Sequence, residues 1–178
     1  MRDRGYALFT VSDSIHVNAP ADRCFLLSTH VGLAALTLEM QPVSGKVQGT
    51  LGPGDRVIFA GWRFGLPHVH ESVVTRYERP GFLQHSMQRS RFSRYHYDHQ
   101  FIEIDGQTLI IDKLRFSLPF GWLGKKIGKR LVLPAIAALV RKRLELLKQV
   151  AENGQWRLYL AEESHEEAHP SGIIAEAS

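Results

Sequence analysis

Cysteine is almost absent from the chain, since Cys24 is the single one among 178 residues. A lone cysteine cannot form a disulfide within the chain, which is typical of a protein from a reducing compartment. It also has no thiolate partner for a structural zinc site. We interpret Cys24 as a small buried apolar residue, because a catalytic thiol needs an electropositive and partly open surrounding.

Long apolar runs are missing as well. The longest is LVLPAIAALV at 131–140, which contains a proline and is shorter than a membrane-spanning helix. The first residues, MRDRGYALFTVSDS, lack the apolar run of a signal peptide. We therefore expect a cytoplasmic protein. Its length and its 44% of hydrophobic residues suffice for one domain with a core of its own.

Charge is spread unevenly along the chain, which carries a formal net charge of +4. The segment from Gly154 onward holds five glutamates and one arginine, so the preceding residues form the basic part. We predict one folded domain at 1–154 and an acidic, partly disordered tail at 155–178. A basic body favours anionic partners. No nucleic-acid-binding motif accompanies it, so we expect no nucleic acid among the partners.

The order of periodic segments predicts an α+β fold. A first strand at 6–18 precedes Pro20, which suits the first turn of a helix capped by Asn18 or Ala19. We expect that helix to end at Gly32 and a second short helix to follow. Six further β-rich runs, separated by Gly and Pro turns, then predict an antiparallel meander. The strongest hairpin signal is Asp105-Gly106 between two alternating runs.

The period changes to that of a helix at 121–154. Apolar residues recur there at three and four positions, which gives one apolar stripe; they are Val132, Ile136, Val140, Leu144, Leu147 and Ala151. Pro134 should kink this helix or divide it from a shorter leading helix. Only a sheet is large enough to bury the stripe. We predict a strongly bent seven-stranded antiparallel sheet wrapped around this long C-terminal helix.

The stretch RYHYDHQFIEI at 94–104 separates its aromatic residues by strand parity. Alternate residues of a strand share a face, so Tyr95, Tyr97, His99 and Phe101 lie on one side and His96 on the other. The two histidines therefore cannot bind one metal ion from this strand alone. Aromatic rings with polar tips are typical of a pocket wall. The alternative is that they fill the core or cover the outside of the sheet.

A metal site has a weaker signal in PHVHES. His68 and His70 share a face of a neighbouring strand, and His99 would be a third ligand. Nothing in the sequence fixes that third contact, and we predict no metal.

Asp112 stands out because it lies in an apolar strand between Ile111 and Leu114. Its carboxylate would either orient His99 or form an ion pair with Arg143 of the last helix. We favour the ion pair, because a buried charge needs a partner.

Several segments together resemble a known family. They are NAPADRCF at 18–25, Arg79-Pro80-Gly81-Phe82, the strand from Tyr95 to Phe101, IIDKLRFSLPFGWLG at 110–124, and Arg143 with Leu147. Over roughly 8–151 the chain resembles the SRPBCC superfamily. That superfamily has the helix-grip fold of START domains, birch-pollen-allergen-like proteins and polyketide aromatase/cyclases. More narrowly, the chain is similar to small bacterial cyclase-like ligand-binding members.

This resemblance implies a mostly apolar cavity between the sheet and the C-terminal helix. It also implies a ligand of the lipid, quinone or polycyclic aromatic type and no cofactor. On the sheet we place Tyr95, Tyr97, His99 and Phe101 on the cavity wall, together with His70, Val74 and Phe59, and we add Leu36 from the second short helix. On the helix we place Ile136, Val140 and Leu144 there.

Three functions stay open. The first is binding or carrying a hydrophobic molecule without turnover. The second is a cyclase/dehydratase-like enzyme in which His99 moves protons with Tyr97 or Asp112. The third is a module with a filled core that contacts a membrane or an acidic partner through Lys125, Lys126, Lys129 and Arg130. An open cavity would favour the first two. A hydrogen bond between a histidine and an acid in the cavity would favour the enzyme.

Overall fold

The computed structural model describes residues 7–63, 66–87, 94–118, 126 and 128–161. The strands are β1 (Ala7–Val17), β2 (Gln41–Gly45), β3 (Arg56–Arg63), β4 (Leu66–Glu78), β5 (Phe82–Ser86), β6 (Arg94–Ile104) and β7 (Gln107–Leu118). The α-helices are α1 (Ala21–Thr29), α2 (Val31–Leu38), α3 (Leu133–Glu152) and α4 (Trp156–Leu160).

The seven strands form one antiparallel sheet in the order β1-β7-β6-β5-β4-β3-β2. Strands β2 to β7 are a meander, and β1 pairs with β7 at the edge. The α+β prediction is confirmed, including the two short helices after β1 and the long C-terminal helix packed on the sheet. Asp105 and Gly106 join β6 to β7 with φ of 52° and 76°. These left-handed conformations are those a two-residue hairpin requires.

The C-terminal helix has two parts. A π-helical turn at Gly128–Val132 leads into α3, and Pro134 lies in the first turn of α3. A proline is tolerated there because its missing N–H would have no partner within the helix. Pro134 thus marks a division of the helix rather than a kink inside it. Helix α3 buries one apolar stripe against the sheet, formed by Val140, Leu144, Leu147, Val150 and Ala151.

The first two helices differ from the prediction at their ends. Helix α1 ends at Thr29 and not at Gly32, because His30 is extended with φ −73° and ψ 121°. The Nδ1 atom of His30 then accepts a hydrogen bond from the Gly32 N–H at 3.1 Å and caps α2. At the start of α1, the N-cap position belongs to Pro20 rather than Asn18 or Ala19.

Packing continues beyond residue 154. The Arg23 guanidinium lies 4.3 Å from the centre of the Trp156 ring. The Tyr159 ring contacts His30 edge-on at 5.0 Å. Helix α4 is therefore part of the folded unit, while the acidic segment at 162–178 lies outside the described residues. None of the described helices is long and apolar enough to cross a membrane.

Candidate functional site

A cavity of about 80 Å³ lies between the sheet and the helices. Its apolar lining comes from the sheet, from α3 and from the segment after β2. The apolar residues on its wall include Leu51, Val57, Phe59, Leu114, Leu139 and Val140. Its polar residues converge from three neighbouring strands and α3. They include Ser72, His85, Tyr95, Tyr97, His99 and Arg143.

The structure brings several of the predicted wall residues together. Those that line the cavity are Tyr95, Tyr97, His99, His70, Phe59 and Val140. The strand parity of β6 accounts for the first three, because their side chains share one face of the sheet. The rings of Tyr95 and Tyr97 meet edge-on at 6.5 Å, and His70 contacts Tyr95 at 5.8 Å.

Five other residues expected on this wall are not among those that line the cavity. Phe101 packs edge-on against Phe25 at 5.5 Å in the hydrophobic core. Val74 and Leu144 are also core residues, with 2% and 0% exposure. Ile136 is half-buried against the core and Leu36 is 53% exposed, so neither lines the cavity.

Asp112 is the centre of the polar end. Strand pairing sets it directly opposite His99, and His99 Nδ1 lies 2.7 Å from Asp112 Oδ1. The Tyr97 hydroxyl donates to Oδ2 at 2.8 Å. Arg143 Nη1 donates to the same Oδ2 at 2.6 Å. Asp112 therefore contacts both of the partners that the sequence suggested, His99 and Arg143.

The surroundings keep Asp112 ionised. Burial alone would raise the pKa of its carboxyl, but the charge of Arg143 and the hydrogen bonds from His99 and Tyr97 lower that pKa to about 2. Burial would lower the pKa of Arg143, yet the Asp112 charge holds it above the ordinary value. Burial, with the Asp112 charge, raises the pKa of Tyr97 well above its usual range. At neutral pH the site thus contains one ion pair and an un-ionised tyrosine.

The ionised Asp112 determines which nitrogen of His99 carries the proton. A carboxylate only accepts, so Nδ1 of His99 is the protonated nitrogen. Burial and the charge of Arg143 lower the pKa of His99 despite the opposing effect of Asp112, so the ring is neutral at pH 7. Its Nε2 is then an unprotonated acceptor on a residue of the cavity wall.

His85 and Ser72 are site residues that the sequence reasoning missed. His85 Nδ1 lies 3.1 Å from the Ser72 hydroxyl oxygen. The rings of His85 and His99 meet edge-on at 5.4 Å. Burial is the main cause that lowers the pKa of His85 well below its ordinary value, and the neighbouring His99 ring and the charge of Arg143 lower it further. One signal was available, because His85 shares strand parity with the apolar Leu83 of FLQHS.

Arg143 has an unused donor. One guanidinium nitrogen binds Asp112, whereas Nη2 is buried and has no hydrogen-bond partner in the part of the chain that the structure describes. The side chain is 14% exposed and its guanidinium lies 5.6 Å from the centre of the Tyr97 ring. A buried donor without a partner costs about 1–3 kcal/mol. An acceptor atom on a bound molecule would remove that cost.

Two further features considered in the sequence are a metal site and the basic stretch. Over the described ranges, no group of three or more His, Cys, Asp or Glu is placed to hold a metal ion. Of the two histidines in PHVHES, His70 lines the cavity and His68 does not. In the basic stretch, Lys126, Lys129 and Arg130 are exposed, while Lys125 lies outside the described residues. Contact of this stretch with a membrane or an acidic partner stays a prediction.

No family model matches the chain, and no curated protein matches it. Solved structures do match. The protein TTHA0849 from Thermus thermophilus is 17% identical with a TM-score of 0.64, over 79% of this chain and 94% of that one. Truncated norcoclaurine synthase from Thalictrum flavum is 14% identical with a TM-score of 0.63, over 86% and 99%.

A third similar structure is BexL, the di-domain ARO/CYC from the BE-7585A biosynthetic pathway. It is 19% identical with a TM-score of 0.63, over 82% of this chain and 50% of the two-domain chain. At such identities the likeness establishes the fold and not the ligand.

Proposed function

Because the chain has the helix-grip fold of the SRPBCC proteins, we propose that it binds a small hydrophobic molecule between the sheet and α3. The observation that carries this proposal is the cavity itself, which has apolar walls and a polar end at Arg143 and His99. Apolar walls with few convergent polar groups are the usual composition of a small-molecule site.

The size of the cavity limits the molecule. A cavity of about 80 Å³ has room for roughly six water molecules, because each one needs about 10–15 Å³. That space suits one substituted ring. A lipid chain or a polycyclic aromatic, as the family resemblance implies, would require the walls to move apart.

The polar end limits its chemistry. Arg143 Nη2 is a donor without a partner among the described residues, and His99 Nε2 is an acceptor. Arg143 is already neutralised by Asp112, so a second full negative charge would be poorly compensated. A carbonyl or hydroxyl oxygen on the ring satisfies the free donor without adding charge. We therefore infer a neutral, oxygen-bearing aromatic or alicyclic molecule.

Filling the cavity should weaken binding without unfolding the protein. Ala34 is half-buried on the cavity wall, and Ala34→Leu adds three carbon atoms there. We expect at least a tenfold loss of affinity for single-ring ketones and phenols such as acetophenone and 4-hydroxybenzaldehyde, measured by isothermal titration calorimetry.

Ala35→Leu is the matched control, because Ala35 is also half-buried on α2 but does not line the cavity. It should leave the affinity within about threefold of the unsubstituted protein, which is below 1 kcal/mol. Equal affinities for Ala34→Leu and the unsubstituted chain would place the ligand elsewhere.

A second function is favoured by the His99–Asp112 hydrogen bond. An imidazole oriented by an ionised carboxylate is the usual form of a catalytic base. In a bound ketone, His99 Nε2 would take a proton from the carbon beside the carbonyl, and Arg143 would stabilise the oxygen as it gains charge. This proton transfer is the first step of a cyclase or dehydratase reaction.

Deuterium exchange tests the second function without knowledge of the natural substrate. In D₂O, the methyl protons of acetophenone should exchange faster with the protein than in buffer, as followed by NMR. His99→Asn should reduce the enzymatic rate by about 10²-fold or more. His96→Asn, on the opposite face of β6, should have no effect. Exchange that persists in His99→Asn would mean that His99 is not the base. If the unsubstituted protein does not accelerate exchange, the first function, binding without turnover, would remain.

A further inference from the structure

Ser72 and His85 form a pair that neither proposed function uses. Ser72 is 9% exposed and lines the cavity from β4. Its hydroxyl lies 3.1 Å from Nδ1 of His85 on the neighbouring strand β5. A hydroxyl beside an imidazole nitrogen is the first element of an activated serine.

Asp112 sets the tautomer of His99. Because Asp112 is ionised, His99 donates through Nδ1 and keeps a free lone pair on Nε2. The rings of His85 and His99 meet edge-on with their centres 5.4 Å apart. In the tautomer of His85 that carries its proton on Nε2, Nδ1 accepts a hydrogen bond from the Ser72 hydroxyl, which is the arrangement that activates a serine.

We propose that Ser72 is an acyl-accepting nucleophile and that the cavity takes a small carboxylic ester or thioester. Ser72 Oγ bonds to the carbonyl carbon while His85 Nδ1 takes the hydroxyl proton. The bond from that carbon to the leaving oxygen or sulfur breaks as His85 returns the proton to the leaving atom. Water repeats both steps on the acylated serine and releases the carboxylic acid.

The groups around the pair suit this reaction. Arg143 lines the same cavity as Ser72 and His85, and its Nη2, which has no partner among the described residues, is a donor for the oxygen that becomes negative. The apolar wall at Leu114 and Val140 accommodates a short acyl group or a single ring. The proposal needs the cavity of the proposed function but not proton transfer by His99.

The test is the reaction of the full-length protein with 4-nitrophenyl acetate. We expect the mass of one acetyl group on the intact protein, located on Ser72 by peptide mapping, together with release of 4-nitrophenol. Ser72→Ala should lose the adduct and slow release at least tenfold. Ser86→Ala is the matched control, since Ser86 follows His85 on β5 but faces the other way; it should behave like the unsubstituted protein.

Two further variants separate nucleophilic chemistry from a structural hydrogen bond. Ser72→Cys should form an acetyl adduct that hydroxylamine removes, as a thioester does. His85→Gln keeps a hydrogen-bonding side chain but should slow acylation and remove the fall in rate that the unsubstituted protein shows in acid, where His85 becomes protonated. Acetylation that is unchanged in Ser72→Ala, or absent from both unsubstituted protein and Ser72→Cys, would overturn the proposal. Calorimetric binding of acetophenone to the same samples shows independently whether the cavity binds a ligand.

Discussion

Replacing Asp112 with asparagine should lower the free energy of unfolding by about 3–5 kcal/mol, because it leaves the charge of Arg143 buried without compensation. Asparagine has nearly the shape of aspartate, so the loss would be electrostatic and not a loss of packing. The single carboxylate serves three donors, at 2.6 Å from Arg143, 2.8 Å from Tyr97 and 2.7 Å from His99. Urea denaturation at pH 7 measures the effect.

The matched controls use a double variant and a surface pair. Asp112→Asn combined with Arg143→Met removes both charges and should recover most of the lost stability, since replacing a buried ion pair by apolar groups is often neutral. Glu78→Gln breaks an ion pair with Arg76 that is more than half exposed on both sides. Glu78→Gln should lower the free energy of unfolding by less than about 1 kcal/mol. An Asp112→Asn loss no larger than this would mean that Asp112 is not the charged centre of the cavity.

The contact between Asp112 and His99 can be predicted from the sequence. The Asp105-Gly106 turn predicts that Ile104 pairs with Gln107. Five steps outward along both strands then bring His99 opposite Asp112, as the structure shows. Parity on the same strand put Tyr95 and Tyr97 beside His99. A short, recognisable turn therefore fixes the part of the site that lies on β6 and β7.

The rest of the site depends on contacts that periodicity does not encode. Parity tells an inward residue from an outward one, but it does not tell a cavity wall from a filled core. Phe101 faces inward as predicted, and only the position of Phe25 decides that it is core. The pairing of β4 with β5 shifts between Val74 and Arg76. Because of that irregularity, counting from the turn does not predict that His85 meets Ser72.

Mild acid should destabilise the fold through the cavity histidines. The pKa of His85 and that of His99 are lower in the folded protein than the ordinary value of 6.5. Below pH 6.5 the unfolded chain therefore binds protons that the folded chain excludes, and stability falls as the pH falls. Each histidine contributes up to about 1.4 kcal/mol per pH unit until its folded pKa is reached. Together they should make the free energy of unfolding fall steadily as the pH drops below 6.5.

Asp112 adds a second stage at lower pH. Its pKa is lowered from 3.8 to about 2, so its contribution to stability is complete above the unfolded pKa and is lost as the pH falls through the folded one. Urea denaturation between pH 7.5 and pH 3 should thus show two successive losses, the first of which involves no carboxylate of this site.

Substitution of single histidines tests the origin of the first loss. His85→Gln should reduce the slope of stability against pH below 6.5 by up to about 1.4 kcal/mol per unit, because glutamine takes no proton in either state. His96→Gln is the control on the exposed face of β6, and it should leave the slope unchanged. Equal slopes for His85→Gln and the unsubstituted protein would mean that His85 is protonated as readily inside the cavity as outside it.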